Sequence, residues 1–397
     1  MTAQAPKSSV DSAKRIVIAG GGTGGHIYPG VAIARSLIKK NPEIQIHFVG
    51  SPQGLEAKIV PREGFPLHLI QVGKLNYGGG IFGKLRTLFQ LPKAFIESIF
   101  LLFELKPLFV LGVGGYASGP FVLMASLLGF KTAIWEPNAH PGLTNRWLSR
   151  FVRKSFVVFP EAGKYLKSRE VIPSGIPVRD VIEKLGRLPN LGQQMNSQQM
   201  SDQHISDQQI GDLDSKKRKF RILVFGGSQG ARGLNKIVSD LFAQSRESLK
   251  EVELVHQTGV VDFESLREKY KTHQGQVQVL EYLHDMENHY AWCDLVISRA
   301  GAATVAELAA CNKAAILVPL PTAADNHQQV NAETLVRAEA ARMILQKELT
   351  PDLLEKHILE LKSDPELRRK MSENIRKFYK PQAAEAVAQV ILEGAGV

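Results

Sequence analysis

Twice in this chain a short run of aliphatic residues stops abruptly on a string of glycines. Arg15-Ile-Val-Ile-Ala19 runs into Gly20-Gly-Gly-Thr-Gly-Gly-His26, and Arg221-Ile-Leu-Val-Phe225 runs into Gly226-Gly-Ser-Gln-Gly-Ala-Arg232. An apolar run of this kind, bounded by turn residues, predicts a parallel strand buried on both faces. Glycines between such a strand and a helix let backbone N–H groups close on an anion at the helix N-terminus. Strand and helix patterns alternate after each turn. In the first half a helix is expected over Pro29–Lys40, another ends at Val60–Gly64, and strands fall at Ile44–Val49, Leu67–Val72, Leu108–Val113 and Thr132–Trp135. In the second half a helix spans Leu234–Gln244, with strands at Val252–Gln257, Val277–Leu280, Leu295–Ser298 and Ala315–Val318. The expectation is an α/β chain of two doubly wound, Rossmann-like domains, over 14–176 and 220–379. Thr350-Pro351 and Asp364-Pro365 each set a capping residue before a proline, which predicts two helix starts. Pro381 opens a last helix, and 380–395 is expected to pack back on the first domain.

Between the halves, Gln193 to Asp212 reads as the pentapeptides QQMNS, QQMSD, QHISD and QQIGD. Its apolar residues recur every five positions, a period that keeps one face apolar in neither helix nor strand. Residues 190–219 are therefore expected to be a low-complexity, disordered insertion with a basic exit at Ser215–Lys219; docking of a partner is the secondary reading.

Composition narrows the class. With 397 residues, the chain exceeds one ordinary core, and 44% hydrophobic against 22% charged residues excludes a disordered chain. Two cysteines, Cys293 and Cys311, make neither a disulfide framework nor a zinc site and fit a reducing compartment. The longest apolar region, Ile81–Phe103, is broken by Lys84, Arg86, Lys93 and Glu97, short of the roughly 18 clean residues of a spanning helix. Met1–Lys14 lacks the apolar core of a secretion signal, so a cytosolic protein that can lie against a membrane is expected. Residues 1–180 hold 22 Lys/Arg against 10 Asp/Glu, a surplus of 12 in a chain whose net charge is +10. The first half is thus expected to meet something anionic.

The glycine turns carry the chemistry. Gly20, Gly22 and Gly25 satisfy a dinucleotide fingerprint, but at Gly50-Ser51-Pro52, after the second strand, no carboxylate is placed to hold a ribose. The second turn lacks the Lys-Ser or Lys-Thr of a P-loop; there Ser228 can donate its hydroxyl to a phosphate. Gly112-Val-Gly-Gly-Tyr116 is a third turn after a strand. Ser298-Arg-Ala-Gly-Ala-Ala-Thr-Val-Ala-Glu307 is a strand end, a small-residue turn and a helix start. Glu307 there suits the two hydroxyls of a ribose, or else is a solvated first-turn Glu favoured by the helix dipole. Gln328, Gln329 and Asn331, after a proline-bounded loop, suit sugar hydroxyls or ordinary capping.

Taken together, GGTGGH, GGYASGP, GLTNRWL, Gly175-Ile-Pro-Val-Arg179, GGSQGAR, EYLHDM, SRAGAATVAE and HQQVNA resemble, in order, the MurG family of peptidoglycan N-acetylglucosaminyltransferases. The likeness spans the chain outside 190–219. It implies a GT-B fold, with two Rossmann-like domains facing across a crevice. It also implies an enzyme that transfers GlcNAc, with inversion and without metal or cofactor, from UDP-GlcNAc to the muramyl C4 hydroxyl of undecaprenyl-diphospho-MurNAc-pentapeptide (lipid I), giving lipid II. By position, Leu283 would face uracil through its backbone, Glu307 the ribose, Ser228 and Arg179 the diphosphate, and Gln328 and Gln329 the sugar. Ala302, Ala303, Thr304, Val305 and Ala306 would line the donor site, and Thr23, Gly24, Gly25 and Asn138 would reach it from the first domain. His26 is a candidate base or a donor to the lipid diphosphate, Glu136 a second candidate base with a structural reading, and Tyr116 a group that orients the acceptor. Where the family reads His-Glu-Gln-Asn, this chain has Trp135-Glu136-Pro137-Asn138, which alters the hydrogen bonding of that loop.

The resemblance further implies a peripheral place on the cytoplasmic face of the inner membrane. Lys74–Lys93, with apolar residues interleaved among cations, would meet anionic lipid there. Phe95–Phe103 is expected to be ordinary core. Cell-wall synthesis or division proteins are candidate partners, and nucleic acid is not. The other readings are a GT-B enzyme such as a diacylglycerol glycosyltransferase, an NAD-dependent oxidoreductase, and a non-catalytic polyanion binder.

Overall fold

The computed structural model describes residues 13–72, 80–185, 218–227, 230–273 and 275–397, with the backbone alone given at 80–90, 180 and 324. Ser228 lies outside them, as do residues 190–217 of the expected insertion and 74–79 of the expected membrane-facing region. The chain divides into two compact units, one running to Pro177 and taking in Gln382–Val397, the other Val178–Pro381.

In the first unit, β1 (Lys14–Gly20), β2 (Ile44–Gly50), β3 (Leu67–Leu69), β4 (Phe109–Gly114), β5 (Thr132–Glu136), β6 (Lys154–Val157) and β7 (Glu170–Pro173) form a parallel sheet of order β3-β2-β1-β4-β5-β6-β7. Ile16, Val17, Ile18 and Ala19 have no exposed surface, as expected of a strand covered on both faces. β1 pairs on both sides, Ile16 lying opposite Ile46 of β2 and Phe109 of β4. The strand order reverses between β1 and β4, the place where open α/β sheets bind ligands.

The first helix runs Gly24–Lys40, so it begins inside the glycine turn rather than at Pro29. Proline's fixed φ suits the helix, but with no N–H it leaves the Gly25 carbonyl without its donor and its ring crowds that carbonyl. The earlier start puts Thr23 at the N-cap and the imidazole of His26 in the first turn. The final helix, Ala383–Ala395, lies on helix Gly24–Lys40. Gly394 lets the same helix close on β4, since a Cβ there would come 2.9 Å from the Phe109 ring.

Helix Gly80–Leu105 corrects one expectation. Ala94, Ser98, Leu101, Leu102 and Leu105 are buried, on one face at helical spacing. That phase turns Ile96, Phe100 and Phe103 outward, at 55%, 72% and 56% exposure, so Phe100 and Phe103 are not core, whereas Phe95 packs against it. Among the described residues, no helix is long and apolar enough to cross a membrane.

The second unit repeats the design. Strands β8 (Phe220–Phe225), β9 (Val252–Gln257), β10 (Val277–Leu280), β11 (Leu295–Ser298), β12 (Ala315–Leu317) and β13 (Arg342–Met343) form a parallel sheet of order β10-β9-β8-β11-β12-β13. The order reverses between β8 and β11. Helix Asp180–Leu185 packs on helices Met286–Trp292 and Ala302–Ala310, with Ile182 fully buried. Both predicted caps form: Thr350 accepts from the Leu353 N–H at 3.2 Å, and Asp364 from the Leu367 N–H at 2.8 Å.

Candidate active site

In the first unit the loops after β1 and β4 interlock at the switch point. Gly21 N–H donates to Gly114 O at 3.0 Å, and a Cβ on Gly115 would come 2.4 Å from Gly21 O, so this contact requires glycine. His26 Nδ1 stands 3.2 Å from Gly21 O and 3.4 Å from the Thr23 hydroxyl. Tyr116 follows the β4 turn, half-buried against the core of the unit. The structure thus brings Thr23, Gly24, Gly25, His26 and Tyr116 to the ends of two neighbouring strands.

Glu136, at the end of β5, is 1% exposed. One carboxylate oxygen accepts from Asn138 N–H at 2.9 Å and from Asn138 Nδ2 at 3.2 Å. The other accepts from Gly142 N–H at 3.1 Å and Asn145 Nδ2 at 2.9 Å. Burial pushes the Glu136 carboxyl up to about 7, against the pull of these four N–H donors. The carboxylate closes the loop from Pro137 to Gly142 on itself and holds Asn138 in position. Both oxygens are already engaged, which is a positioning arrangement rather than that of a base facing substrate. Trp135, in place of the family's His, is fully buried, and its indole N–H has no partner among the described residues.

In the second unit, Glu307 lies on helix Ala302–Ala310, past its first turn, with a side chain only 19% exposed. Tyr290 donates its hydroxyl to Glu307 Oε2 at 3.0 Å, and Arg179 approaches Oε1 at 3.8 Å. Burial pushes the Glu307 carboxyl up, while Arg179 and Tyr290 pull it down. A solvated first-turn Glu is therefore excluded, and Arg179, half-exposed, reaches the carboxylate expected to meet ribose. Helix Ala302–Ala310 has Gly301 at its N-cap and no side-chain cap, so its first N–H groups, at Ala302, Ala303 and Thr304, are placed for an anion. Val305 and Ala306 are buried beneath.

The turn before that helix is clamped from helix His327–Arg337. Gln328 Oε1 accepts from Ala300 N–H at 3.3 Å and Leu320 N–H at 3.0 Å, and Asn331 Nδ2 donates to Ala300 O at 3.1 Å. Gln328 thus has its oxygen on the backbone, and Nε2 is the end it can turn to a sugar. Gln329 donates to Glu333 at 2.8 Å. Leu283 follows β10 and is 9% exposed.

Sequence reasoning missed several residues. Arg299 is 7% exposed and donates to Val318 O at 3.0 Å, Pro319 O at 3.2 Å and Gln346 Oε1 at 2.7 Å, with no carboxylate partner among the described residues. Asn235, on helix Arg232–Phe242 after the second glycine turn, ties that helix to the loop after β9, donating 2.8 Å bonds to Thr258 O and to Asp262. Its oxygen lies 3.2 Å from buried His256, whose pKa burial lowers to about 3. A carboxylate does stand at the first glycine turn: Glu56 accepts from Gly22 N–H at 2.6 Å. It sits four residues past the stretch where a ribose carboxylate was sought, and Leu55-Glu56-Ala57 reads as a solvated helix start. Asn145 and Tyr290 gave no local signal. Among the described residues, no three His, Cys, Asp or Glu side chains converge in a metal-binding group.

Two parallel α/β units, each with a glycine turn at its switch point, define a GT-B-like glycosyltransferase. Residues 16–157 match the glycosyltransferase family 28 N-terminal domain, and 221–387 match its C-terminal domain. The chain is 51% identical, over 96% of its length and 99% of the relative's, to the UDP-N-acetylglucosamine–N-acetylmuramyl-(pentapeptide) pyrophosphoryl-undecaprenol N-acetylglucosamine transferase of Bdellovibrio bacteriovorus. The enzyme of that name from Myxococcus xanthus is 41% identical, over 96% of this chain and 92% of its own. The crystal structure of Acinetobacter baumannii MurG superposes with a TM-score of 0.74 at 28% identity, covering 96% of this chain and 99% of that one. The chain belongs to the MurG family of N-acetylglucosamine transferases.

Proposed function

We propose that this chain transfers N-acetylglucosamine from UDP-N-acetylglucosamine to the muramyl C4 hydroxyl of undecaprenyl-diphospho-N-acetylmuramyl-pentapeptide, inverting the anomeric centre. The observation that carries the reading is the 51% identity to a transferase of that name over nearly the whole of both chains. In the first unit, His26 takes the hydroxyl proton as the acceptor oxygen bonds to C1 of the donor sugar. The C1–O bond to the β-phosphate breaks, and UDP leaves with the electron pair. Backbone N–H groups of the second glycine turn with Ser228, those at Ala302–Thr304, and Arg179 meet the diphosphate charge. Glu307 Oε1 takes the ribose hydroxyls, since Oε2 already accepts from Tyr290. Leu283 bounds the uracil, and Gln328 Nε2 and Gln329 the sugar. Asn138, Thr23, Gly24 and Gly25 complete the donor contacts, and Tyr116 orients the acceptor.

The acceptor is lipid-linked, so the same reading puts the protein at the cytoplasmic face of the inner membrane. Supporting it are the basic surplus of residues 1–180 and the interleaved cations and apolar residues of Lys74–Lys93. Ile96, Phe100 and Phe103, exposed on helix Gly80–Leu105, add apolar surface. UDP release measured in EDTA, with and without a lipid I analogue, tests the reaction. Release that depends on the analogue, and that drops on the order of 100-fold in His26→Ala, is expected. Release indifferent to the analogue would refute the acceptor, and near-normal turnover in His26→Ala would remove the base.

A further inference from the structure

We infer that Glu56 is a positioning residue for His26, acting on the ring through the peptide bond between Gly21 and Gly22. Glu56 is 1% exposed, at the start of helix Glu56–Arg62. Its Oε2 accepts from Gly22 N–H at 2.6 Å, and its Oε1 from Ser51 N–H and the Ser51 hydroxyl, both at 2.9 Å. The Gly22 N–H and the Gly21 C=O are the two ends of one planar amide. At its other end, Gly21 O lies 3.2 Å from His26 Nδ1. A carbonyl oxygen only accepts, whereas the Thr23 hydroxyl, 3.4 Å from the same nitrogen, can take either role, so the closer bond to Gly21 O is made with the hydrogen on Nδ1 and the lone pair of the neutral ring on Nε2. Drawing on the N–H polarises the amide and makes its carbonyl a stronger acceptor for the ring. A carboxylate that touches an imidazole directly fixes its tautomer; here an amide stands between the two.

The packing explains glycines that a phosphate-binding turn does not call for. A Cβ on Gly21, Gly50 or Gly54 would come within 2.3, 2.4 or 2.0 Å of the Glu56 side chain. These three glycines leave room for a carboxylate supplied by the chain itself. A Cβ on Gly114 would stand 3.1 Å from His26 Nε2, so that nitrogen lies toward the turn before Tyr116.

The effect on rate rests on His26 being the base; the effect on the ring does not. The test is the tautomer of His26 in protein carrying 15N-histidine, read by long-range proton–nitrogen NMR at a pH where the ring is neutral. The His26 signals are assigned by their loss in His26→Ala. Wild type is expected in the Nδ1–H form. In Glu56→Gln, the amide oxygen stays on Ser51, where two donors hold it, and the NH2 turns to the Gly22 N–H as a donor against a donor. The preference for Nδ1–H should then fall about tenfold, and kcat by up to about tenfold, with KM for UDP-N-acetylglucosamine changed less than about twofold. Glu63→Gln, the same chemical change at the end of that helix beside Arg35, should alter neither. A wild-type ring in the Nε2–H form overturns the inference, even if the Glu56 variant does not fold. An unchanged tautomer in Glu56→Gln overturns it too. If His26→Ala keeps its turnover, the base assignment falls while the tautomer still decides the role of Glu56.

Discussion

Replacing Glu136 with Gln should change the pH dependence of stability in the first unit. Its carboxyl is 1% exposed, and burial raises it from 4.5 to about 7. A carboxyl raised on folding binds its proton more tightly in the native state. Its contribution is therefore complete below the unfolded value and lost as pH climbs through about 7. At about 1.4 kcal/mol per unit, a rise from 4.5 to about 7 amounts to about 3 kcal/mol, most of it lost between about pH 5 and 8. Glutamine does not titrate, and it leaves one or more of the four N–H donors facing an NH2, a cost of about 1–3 kcal/mol that is constant with pH. The gap between wild type and Glu136→Gln should therefore move by about 3 kcal/mol in favour of glutamine from about pH 5 to 8. Urea titrations followed by tryptophan fluorescence measure this in a Trp292→Phe background, where Trp135 and Trp147 report on the first unit alone. A gap that stays flat with pH would mean that the four N–H donors hold the carboxylate ionised. The argument from burial would then be refuted.

Tyr290→Phe removes a hydroxyl that donates to the largely buried Glu307, and should weaken UDP binding about tenfold by calorimetry while the second unit loses about 2 kcal/mol. Gly230→Ala demands φ of +72° from alanine and sets a Cβ 1.9 Å from Thr258 O. It should cost about 3 kcal/mol or more and abolish the rise in melting temperature expected on adding UDP. Thr350→Ala and Asp364→Ala each remove a side-chain cap on a helix N-terminus, and each should lower stability by about 1 kcal/mol in denaturant titration without changing UDP affinity.

Much of the fold could be read locally because its signals are local. An apolar run ending on glycines announces a parallel strand at Arg15–Ala19 and at Arg221–Phe225, and a capping residue before proline announces a helix at Thr350 and Asp364. The position of His26 at the end of the first glycine turn was legible for the same reason. The start of the first helix was not, because Pro29 reads as a beginning although its φ also fits a second turn. Neither was the outward turn of Ile96, Phe100 and Phe103, since phenylalanine in a helix looks the same whichever way the helix is rotated.

What only the tertiary structure decided are pairings across strands and loops. Glu56 belongs to Gly22, Tyr290 to Glu307, Asn145 to Glu136, and Gln328 to Ala300, at separations from 9 to 34 residues. Each buries a polar group that must find its partner there or lose about 1–3 kcal/mol, and no spacing in the chain specifies that partner. Periodicity and glycine placement determined where strands end and anions can approach. The packing within each unit determined which carboxylates are turned inward to hold loops, as Glu56 and Glu136 are.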